Sequence, residues 1–527
     1  MGRISHMIAR ILFASVALAL LPAAAATCES LQKLSLPDTT ITTADLVSGG
    51  SFKAPGVPQA IANLPSFCRV VGTIRPSKDS DIQFEVWMPA SGWNGKFFGV
   101  GNGGFAGAIS YTGLASAIRE NYAAASTDTG HQAGGQDASW ALNHPEKIVD
   151  FGHRAIHETA VKSKAVVKAF YGDTPKQTYF SSCSNGGRQA LMEAQRYPED
   201  YDGIIAGAPA NYWTHLLSMA ASNVQATMKD PASYIPAAKL PAIQAAALAA
   251  CDTLDGVNDG VIENPGRCRF DPSSLLCKGQ ESDACLTAPQ LSALRKIYGG
   301  LRDKSDKAIF PGYPMGGEAE PGGWGPWITG LEPGKASMYA FSTQFFKNMV
   351  YSNPEWDFRT FDPVRDTQTA DEKFARVLNS NDPDLKRFRD RGGKLILYHG
   401  WSDAAIPAYN IIDYYRSIEQ NMGAPTSFVR LYMVPGMQHC SGGSGANFFG
   451  QFGPSKTPQE SNIETALERW VEDGVAPGPI VAIKFRQGMN PDSGVAKTHP
   501  LCPYPRVAQY KGSGGTDDAT SFTCVAK

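Results

Sequence analysis

The sequence carries no surplus of either charge and no basic tract. Its 527 residues include 48 Lys and Arg against 50 Asp and Glu, which gives a formal net charge of −2. Proteins that bind nucleic acid or an anionic membrane surface need clustered positive charge, and this composition is not typical of them. A small or neutral ligand is therefore expected.

The chain also has no internal repeat, and its N-terminal apolar run, residues 11–21, is too short to cross a bilayer. That run follows Arg3 and Arg10 and precedes the small residues "AAAAT". The order is typical of a signal peptide, and we predict that residues 1–26 are removed by cleavage near Ala26. The protein is then secreted, to the periplasm or to the medium.

Cys-x-x-Cys pairs are missing as well, although the chain has ten cysteines. All ten survive removal of the signal peptide, and an even number of cysteines in an exported protein predicts up to five disulfides. Zinc is the alternative use of cysteine, but structural zinc sites take closely spaced ligand pairs. Cys251 with Cys268 and Cys277 with Cys285 instead have the spacing of disulfides within loops.

Strand and helix patterns alternate in two separate parts of the sequence. The segments "IQFEVWMP" and "GKFFGV" predict strands, a helix follows over residues 149–172, and strand, helix and strand patterns fill residues 176–210. Further strands are predicted within residues 392–403 and 427–440, with a helix between them. Such alternation indicates a parallel sheet. We therefore predict an α/β core from residues 27–210 and 381–527, interrupted by a lid domain of residues 211–380.

One serine stands where a predicted strand gives way to a predicted helix, in "SSCSNGGRQA". A nucleophile on such a sharp turn needs small residues two positions before and after it, and Ser184 has Ser182 and Gly186 there. The pattern departs from Gly-x-Ser-x-Gly by one small residue. A serine that only turns a loop or caps a helix is the alternative.

A nucleophilic serine needs an imidazole to accept its proton and a carboxylate to orient that imidazole. Asp403 and His439 each follow a predicted strand, and the order Ser, Asp, His is that of α/β-hydrolases. His399 is the rival base, although its place beside Asp403 favours a position in the pocket wall. His153 and His157 lie one helical turn apart, which also suits a metal.

Cysteines adjoin both catalytic candidates, because Cys183 precedes Ser184 and Cys440 follows His439. A disulfide between them would hold their Cα atoms about 4.4–6.8 Å apart and make the serine and the histidine near neighbours. We therefore predict that this bridge clamps the catalytic pair, and that reduction harms activity before it unfolds the protein.

Two further features of the sequence suggest binding groups. Asn185 and the glycine-rich "FFGVGNGGFAG", through Gly103 or Gly104, could supply the two backbone N–H groups that stabilise an oxyanion. The segment "CDTLDGVNDGVIENPGRC" brings three aspartates into a loop between two cysteines, a plausible calcium cage with main-chain oxygens of Val257 and Val261. Simple turns are the alternative for both segments.

Taken together, "CSNGG", "HGWSDAAIP", "GMQHCSGG", the aspartate loop and "PLCPYPRVAQYKGSG" resemble the tannase and feruloyl esterase family over essentially the whole mature chain. The resemblance implies an α/β-hydrolase core with a large lid, and it implies the triad Ser184, Asp403 and His439. The implied oxyanion donors are Gly104 and Asn185. The implied ligands of a structural calcium ion in the lid are Asp252, Asp255, Val257, Asp259 and Val261. The implied disulfides are Cys28–Cys68, Cys183–Cys440, Cys251–Cys268, Cys277–Cys285 and Cys502–Cys524.

The family resemblance also implies the substrate class, esters of aromatic acids such as galloyl and feruloyl esters, free or attached to plant polysaccharide or polyphenol. We assign substrate contacts to His399, Ile406, Phe341 and Phe345. A related enzyme type hydrolyses the monoester of terephthalic acid through a lid arginine, but residues 335–351 contain no arginine, although Lys335 is close. A terephthalate monoester hydrolase, a serine peptidase and a non-catalytic, calcium-stabilised polyphenol-binding or polysaccharide-binding protein are the alternatives. The preferred acyl group, the alcohol and the oligomeric state stay open.

Overall fold

The computed structural model describes residues 2 and 26–526 of the chain, so most of the predicted signal peptide lies outside the described residues. The strands are β1 (Thr39–Val47), β2 (Gly50–Phe52), β3 (Ile61–Leu64), β4 (Phe67–Ile74), β5 (Ile82–Pro89), β6 (Lys96–Val100), β7 (Ala123–Thr127), β8 (Gln177–Cys183), β9 (Gly203–Gly207), β10 (Leu301–Arg302), β11 (Ala308–Phe310), β12 (Lys394–Gly400), β13 (Val429–Val434), β14 (Ile480–Phe485), β15 (Val495–Leu501), β16 (Arg506–Tyr510) and β17 (Phe522–Ala526).

The α-helices of the same residues complete the framework. They are α1 (Tyr111–Arg119), α2 (Pro145–Val149), α3 (Ala155–Tyr171), α4 (Asn185–Arg196), α5 (Trp213–Met228), α6 (Leu240–Cys251), α7 (Ala288–Gly299), α8 (Ser337–Gln344), α9 (Arg365–Leu378), α10 (Lys386–Asp390), α11 (Ala408–Met422) and α12 (Ile463–Glu472). The helix predicted over residues 149–172 is present as α3, which a π-helical turn joins to α2. It ends at Gly172, whose φ of 78° permits the left-handed cap.

A nine-stranded sheet forms the centre of the fold, in the order β1-β4-β5-β7-β6-β8-β9-β12-β13. The six strands from β7 to β13 in that order run parallel, whereas β5, β4 and β1 extend the sheet with antiparallel pairing. The predicted parallel α/β sheet is therefore confirmed. Parallel strands collect functional groups at their carboxyl ends.

Both faces of the sheet are covered, and the alternation of side chains along each strand assigns residues to one face or the other. In β12, Leu395 and Leu397 pack in a core with α3, α4 and α11. Ile396 and Tyr398 pack in the opposite core with α1 and α12. This three-layer arrangement is an α/β-hydrolase core, and burial on both faces explains why the central strands are almost continuously apolar.

Residues 208–393 lie between the neighbouring strands β9 and β12 and add no strand to the central sheet. This large insertion has a core of its own, built mainly on α5, α7, α8 and α9. The same cluster includes Phe105 and Ala404 to Ile406, which belong to loops at the carboxyl edge of the sheet. The insertion therefore closes over that edge.

One segment of the described residues, Pro231–Asp255, is long and apolar enough to cross a membrane by length and composition alone, with a mean hydropathy of 1.2. Its continuous α-helical part is only α6, 12 residues long. Leu240, Ile243 and Ala247 of that helix are buried. A helix of this length is shorter than a membrane span requires.

Disulfides tie the architecture together at five places, in the pairs that the family resemblance implies. They join Cys28 to Cys68, Cys183 to Cys440, Cys251 to Cys268, Cys277 to Cys285, and Cys502 to Cys524. No free cysteine is left within residues 26–526.

Candidate active site

Ser184 occupies the sharp turn between β8 and α4, and its φ of 67° lies in the left-handed region. A positive φ is costly for a residue with a Cβ, so the surroundings must hold it there. Its N–H donates to the carbonyl of Gly207 at 2.9 Å. A Cβ added at Gly186 would overlap the Ser182 hydroxyl, and one at Gly187 would overlap the carbonyl of Gly207. The small residues around the serine are therefore required sterically, as the sequence predicted.

The structure brings Ser184, His439 and Asp403 into one hydrogen-bonded chain. His439 Nε2 lies 2.9 Å from Ser184 Oγ, and His439 Nδ1 lies 2.9 Å from Asp403 Oδ2. Asp403 is fully buried, while the His439 side chain is 12% exposed. In this geometry Nδ1–H donates to the carboxylate, which leaves Nε2 free to accept the serine proton.

Asp403 stays ionised although it is buried. Burial alone would raise its pKa, but the nearby His439 and the hydrogen bonds from His399 and His439 hold that pKa below its ordinary value. The backbone N–H groups of Ala405 and Ile406 also donate to Oδ1, at 2.8 and 2.9 Å. A carboxylate with this many donors keeps its charge in the interior.

The Cys183–Cys440 bridge links the segments that carry the serine and the histidine. Its Cα atoms are 6.0 Å apart, within the predicted range. Ser184 follows β8 and His439 follows β13, and β9 and β12 lie between these two strands in the sheet. Because the two strands are not neighbours in the described sheet, they share no backbone ladder that would couple them directly.

Gly104 and Asn185, the implied oxyanion donors, both line the cavity at Ser184. Asn185 is the first residue of α4, where backbone N–H groups have no partner within the helix. Gly104 has a φ of 55°, and a Cβ there would overlap the carbonyl of Gly135. Only glycine therefore allows the loop to approach Gly135 so closely.

Several supporting residues carry no pattern that would reveal them in the sequence. Asn102 Nδ2 donates to the carbonyls of Ala108 and Thr127, and the N–H of Asn102 donates to Gln189 on α4. Arg188, also on α4 and fully buried, donates to the side chain of Asn185 at 2.8 Å. These contacts fix the glycine loop and the start of α4 relative to each other.

The loop that carries His439 is also fastened to the insertion. Gln438 Nε2 donates to the carbonyl of Gly317 at 2.8 Å and to Glu320 Oε2 at 3.1 Å. The hydroxyl of Ser444 donates to Glu320 Oε1 at 2.5 Å. On the pocket side, the indole of Trp327 lies edge-to-face with the His439 ring at 5.1 Å. The insertion is therefore in direct contact with the candidate base.

An almost wholly apolar pocket opens at Ser184. Within the described part of the chain, the residues that line this pocket include no lysine and no arginine. Apart from Ser184, Asn185, His439 and Gly104, its wall consists of Ala210, Trp213, Leu216, Leu217, Ala220, Trp327, Met338, Phe341, Ala405 and Ile406. Phe341 and Ile406 therefore lie where the sequence assigned them, whereas the wall formed by α5 was not predicted.

Two residues assigned to the substrate pocket do not line it, and those assignments were wrong. Phe345 is fully buried against Phe346 and Phe374 inside the insertion. It directly follows α8, where its N–H bonds to the carbonyl of Phe341, so it lies one helical turn beyond Phe341 and deeper in the core of the insertion. His399 is fully buried beneath Asp403, on the same face of β12 as Leu395 and Leu397.

The aspartate loop has a donor set that fits calcium. Asp252 and Asp255 are buried, and the Cys251–Cys268 bridge closes the loop. Burial raises the pKa of Asp255, and the nearby carboxylates of Glu263 and Asp259 raise it further. A divalent cation would relieve this repulsion, and carboxylate and carbonyl oxygens are the ligands that calcium prefers.

The loop is nevertheless held by contacts within the protein. Asp252 accepts from the N–H of Gly260 at 2.9 Å, and Asp259 is paired with Lys497. The described aspartates of this loop do not form a cluster of metal-ligating atoms within 4.8 Å of one another. Among the described side chains, such a cluster is formed by His157, Glu193 and Asp200. Asp200 of that group is already bound by His157 and by Lys164.

Comparison with known proteins extends these observations. A family model described as tannase and feruloyl esterase matches residues 68–525. The chain is 43% identical to an uncharacterized esterase of Xanthomonas campestris, with 99% of this chain and 95% of that protein aligned. It is 32% identical to a probable feruloyl esterase B-2 of Aspergillus terreus over the full length of both. The crystal structure of feruloyl esterase B from Aspergillus oryzae superposes with a TM-score of 0.86 at 28% identity, covering 94% of this chain and 99% of that one.

Proposed function

The chain belongs to the tannase and feruloyl esterase family and is a carboxylic ester hydrolase, and we propose that it cleaves aromatic esters through a serine acyl-enzyme. The observation that carries this proposal is the hydrogen-bonded chain Asp403–His439–Ser184, which opens onto an apolar pocket. A nucleophile with a base and an orienting carboxylate is the arrangement that acyl transfer requires.

In the proposed first step, Ser184 Oγ attacks the ester carbonyl as its proton passes to His439 Nε2. The carbonyl oxygen becomes an oxyanion, which the N–H groups of Gly104 and Asn185 stabilise. Asp403 stabilises the imidazolium that forms. The tetrahedral intermediate collapses, the ester C–O bond breaks, and His439 gives its proton to the departing alcohol. The acid is now esterified to the serine.

Water completes the cycle. His439 removes a proton from the incoming water as the water oxygen attacks the acyl carbonyl. A second tetrahedral intermediate forms in the same oxyanion site and breaks its bond to Ser184 Oγ, which recovers the proton. The free acid leaves, and the enzyme returns to its initial state.

The pocket wall supports an aromatic acyl group. Trp213, Trp327 and Phe341 offer ring faces and edges, and aliphatic side chains fill the rest of the wall. Apolar and aromatic walls bind a flat ring through burial and ring contacts. Because no cationic side chain lines the pocket, a substrate with a free carboxylate on its ring, such as a terephthalate monoester, would enter at the cost of its hydration. We therefore favour hydroxycinnamoyl and benzoyl esters over that type.

Three finer features belong to the same proposal. Residues 1–26 would direct secretion, in keeping with the five disulfides, which persist in oxidising compartments. Residues 211–380 would act as a lid. A structural calcium ion would be held by Asp252, Asp255 and Asp259 with main-chain oxygens of Val257 and Val261, and it would stabilise the lid without taking part in the reaction.

Covalent labelling with a fluorophosphonate tests the nucleophile, and a panel of methyl ferulate, methyl caffeate, methyl gallate and a terephthalate monoester tests the substrate. Wild-type protein should label at one site and hydrolyse at least the hydroxycinnamates, while the S184A variant should do neither. The matched control is Ser182→Ala, which removes a neighbouring serine hydroxyl and should still label. A folded wild-type protein that neither labels nor hydrolyses any ester would favour a binding protein.

A further inference from the structure

The carboxylate of Asp403 is shared by two imidazoles. Its Oδ2 lies 2.9 Å from His439 Nδ1 and 3.2 Å from His399 Nε2. His399 is the last residue but one of β12, four positions before Asp403, and both side chains are fully buried. One histidine thus connects the carboxylate to the serine, while the other is buried and does not line the pocket.

The contacts of His399 define where its proton lies. Nε2 is 2.9 Å from the carbonyl of Ile406 as well as 3.2 Å from Asp403 Oδ2, so it faces two acceptors and must carry hydrogen. Nδ1 has no hydrogen-bond partner within the described residues. His399 Nε2–H therefore bonds to the carbonyl of Ile406 and lies close enough to Asp403 Oδ2 to share its hydrogen with that carboxylate, while the ring does not line the pocket.

Such a donor changes the negative charge that Asp403 presents to His439. A carboxylate that accepts one more hydrogen bond stabilises a neighbouring imidazolium less, because part of its charge is already compensated. The second donor also limits rotation of the carboxylate, whose Oδ1 is held by Ala405 and Ile406. Both effects act on the base through Asp403 and require no contact with substrate.

We propose that His399 is a positioning residue, which holds Asp403 in its productive orientation and competes with His439 for the charge of that carboxylate. This inference rests on the proposed role of Ser184, Asp403 and His439. The other titratable groups that face this carboxylate are the phenols of Tyr313 and Tyr398. Burial raises the pKa of both, so both stay neutral over the working pH range.

The test compares H399L with H399Q in the full-length protein. Leucine fills the space without a donor, whereas the glutamine amide can donate from nearly the same place. The readout is the rate of fluorophosphonate labelling of Ser184 as a function of pH, together with kcat/KM for methyl ferulate. Labelling needs the serine and its base but does not depend on the preferred acyl group.

With H399L, we expect the labelling rate and kcat/KM to fall about tenfold, with little change in KM. The acid limb of both pH profiles should move up by about 0.5–1 pH unit, as expected when a charge-assisted hydrogen bond to the neighbouring carboxylate is lost. H399Q should recover most of the rate and return the limb toward its wild-type position. H157L, which removes a histidine paired with Asp200 at 2.6 Å elsewhere in the fold, should leave the limb in place.

Three results would overturn the inference. An H399L protein with an unchanged limb and rate would show that the imidazole only fills space. Equal losses in H399L and H399Q without movement of the limb would show a packing role. Labelling that persists in S184A would instead overturn the proposed function, and the role of His399 with it. If H399L does not fold, the acid limb of the H399Q profile provides the test. Because the glutamine amide is a weaker donor than the imidazole, that limb should still move to higher pH.

Discussion

Removal of the Cys183–Cys440 disulfide should abolish most activity in a protein that is still folded. The bridge closes a loop with a sequence separation of 257, for which the chain-entropy relation gives a stabilisation of about 5.5 kcal/mol as an upper estimate. The double variant C183A/C440A should therefore melt at a lower temperature. The more specific consequence concerns the geometry of the serine and the histidine.

Ser184 and His439 follow strands that are three positions apart in the sheet, about 14 Å at 4.8 Å per strand. Their 2.9 Å contact thus depends on two loops that reach toward each other over β9 and β12. Without the bridge, those loops lose their covalent link but keep the contacts of Gln438 with the insertion. A displacement of about 1 Å between reacting groups can cost about 100-fold in rate.

We therefore expect kcat/KM of C183A/C440A to fall about 100-fold at temperatures well below its melting transition. The assay is ester turnover at about 15–20 °C, beside circular dichroism and melting of the same samples. C277A/C285A is the matched control, because it removes a bridge of separation 8, worth about 2.5 kcal/mol by the same relation, whose cysteines do not line the pocket at Ser184. A folded C183A/C440A variant with activity within about threefold of wild type, or an equal loss in the control, would refute the reasoning.

Three further predictions concern substrate, metal and pH. Methyl ferulate should exceed methyl gallate in kcat/KM by at least about tenfold, because each galloyl hydroxyl buried against the apolar wall without a partner costs about 1–3 kcal/mol; equal turnover would contradict this. Treatment with EGTA should lower the melting temperature and added calcium should restore it, whereas D255N should respond to neither, and an unresponsive wild type would exclude the calcium site. Burial raises the pKa of Glu464 to about 8, although hydrogen bonds with Ser181 and Gly453 act to lower it. The folded state therefore retains a proton that the unfolded state releases near pH 4.5. Urea denaturation should show stability falling by up to about 1.4 kcal/mol per pH unit between these values, and E464Q should flatten that slope.

The triad could be predicted from the sequence because each of its members depends on local chemistry. The turn at Ser184 requires small neighbours, and the overlap that a Cβ at Gly186 would create with Ser182 shows why. Asp403 and His439 follow strands that their apolar runs reveal. The adjacent cysteines added a distance constraint between two remote segments, which is information that strand and helix patterns do not contain.

The pocket could not be predicted in the same way. Phe341 and Phe345 are four residues apart, a spacing that places two side chains on one face of a regular α-helix. Only Phe341 reaches the pocket, because Phe345, one turn further along, is packed against Phe346 and Phe374 inside the insertion. Trp213 belongs to α5, in which residues 213–221 are all buried, so no periodicity singles out the face that lines the pocket.

His399 illustrates a third limit. Its position beside Asp403 was predicted correctly from the sequence, but the direction in which its ring points was not. Side chains alternate along a strand, so His399 shares the face of Leu395 and Leu397, which are core residues. Along β12, this alternation directs the His399 ring toward the core residues and not into the pocket wall. Groups near the carboxyl ends of the strands therefore form two layers. Residues in the loops beyond the sheet edge can contact the substrate. Residues that still belong to a strand can act only through those loop residues. In this fold, the proposed reacting groups belong to the first layer and His399 to the second, while the wall of the acyl pocket comes from the insertion together with Ala405 and Ile406.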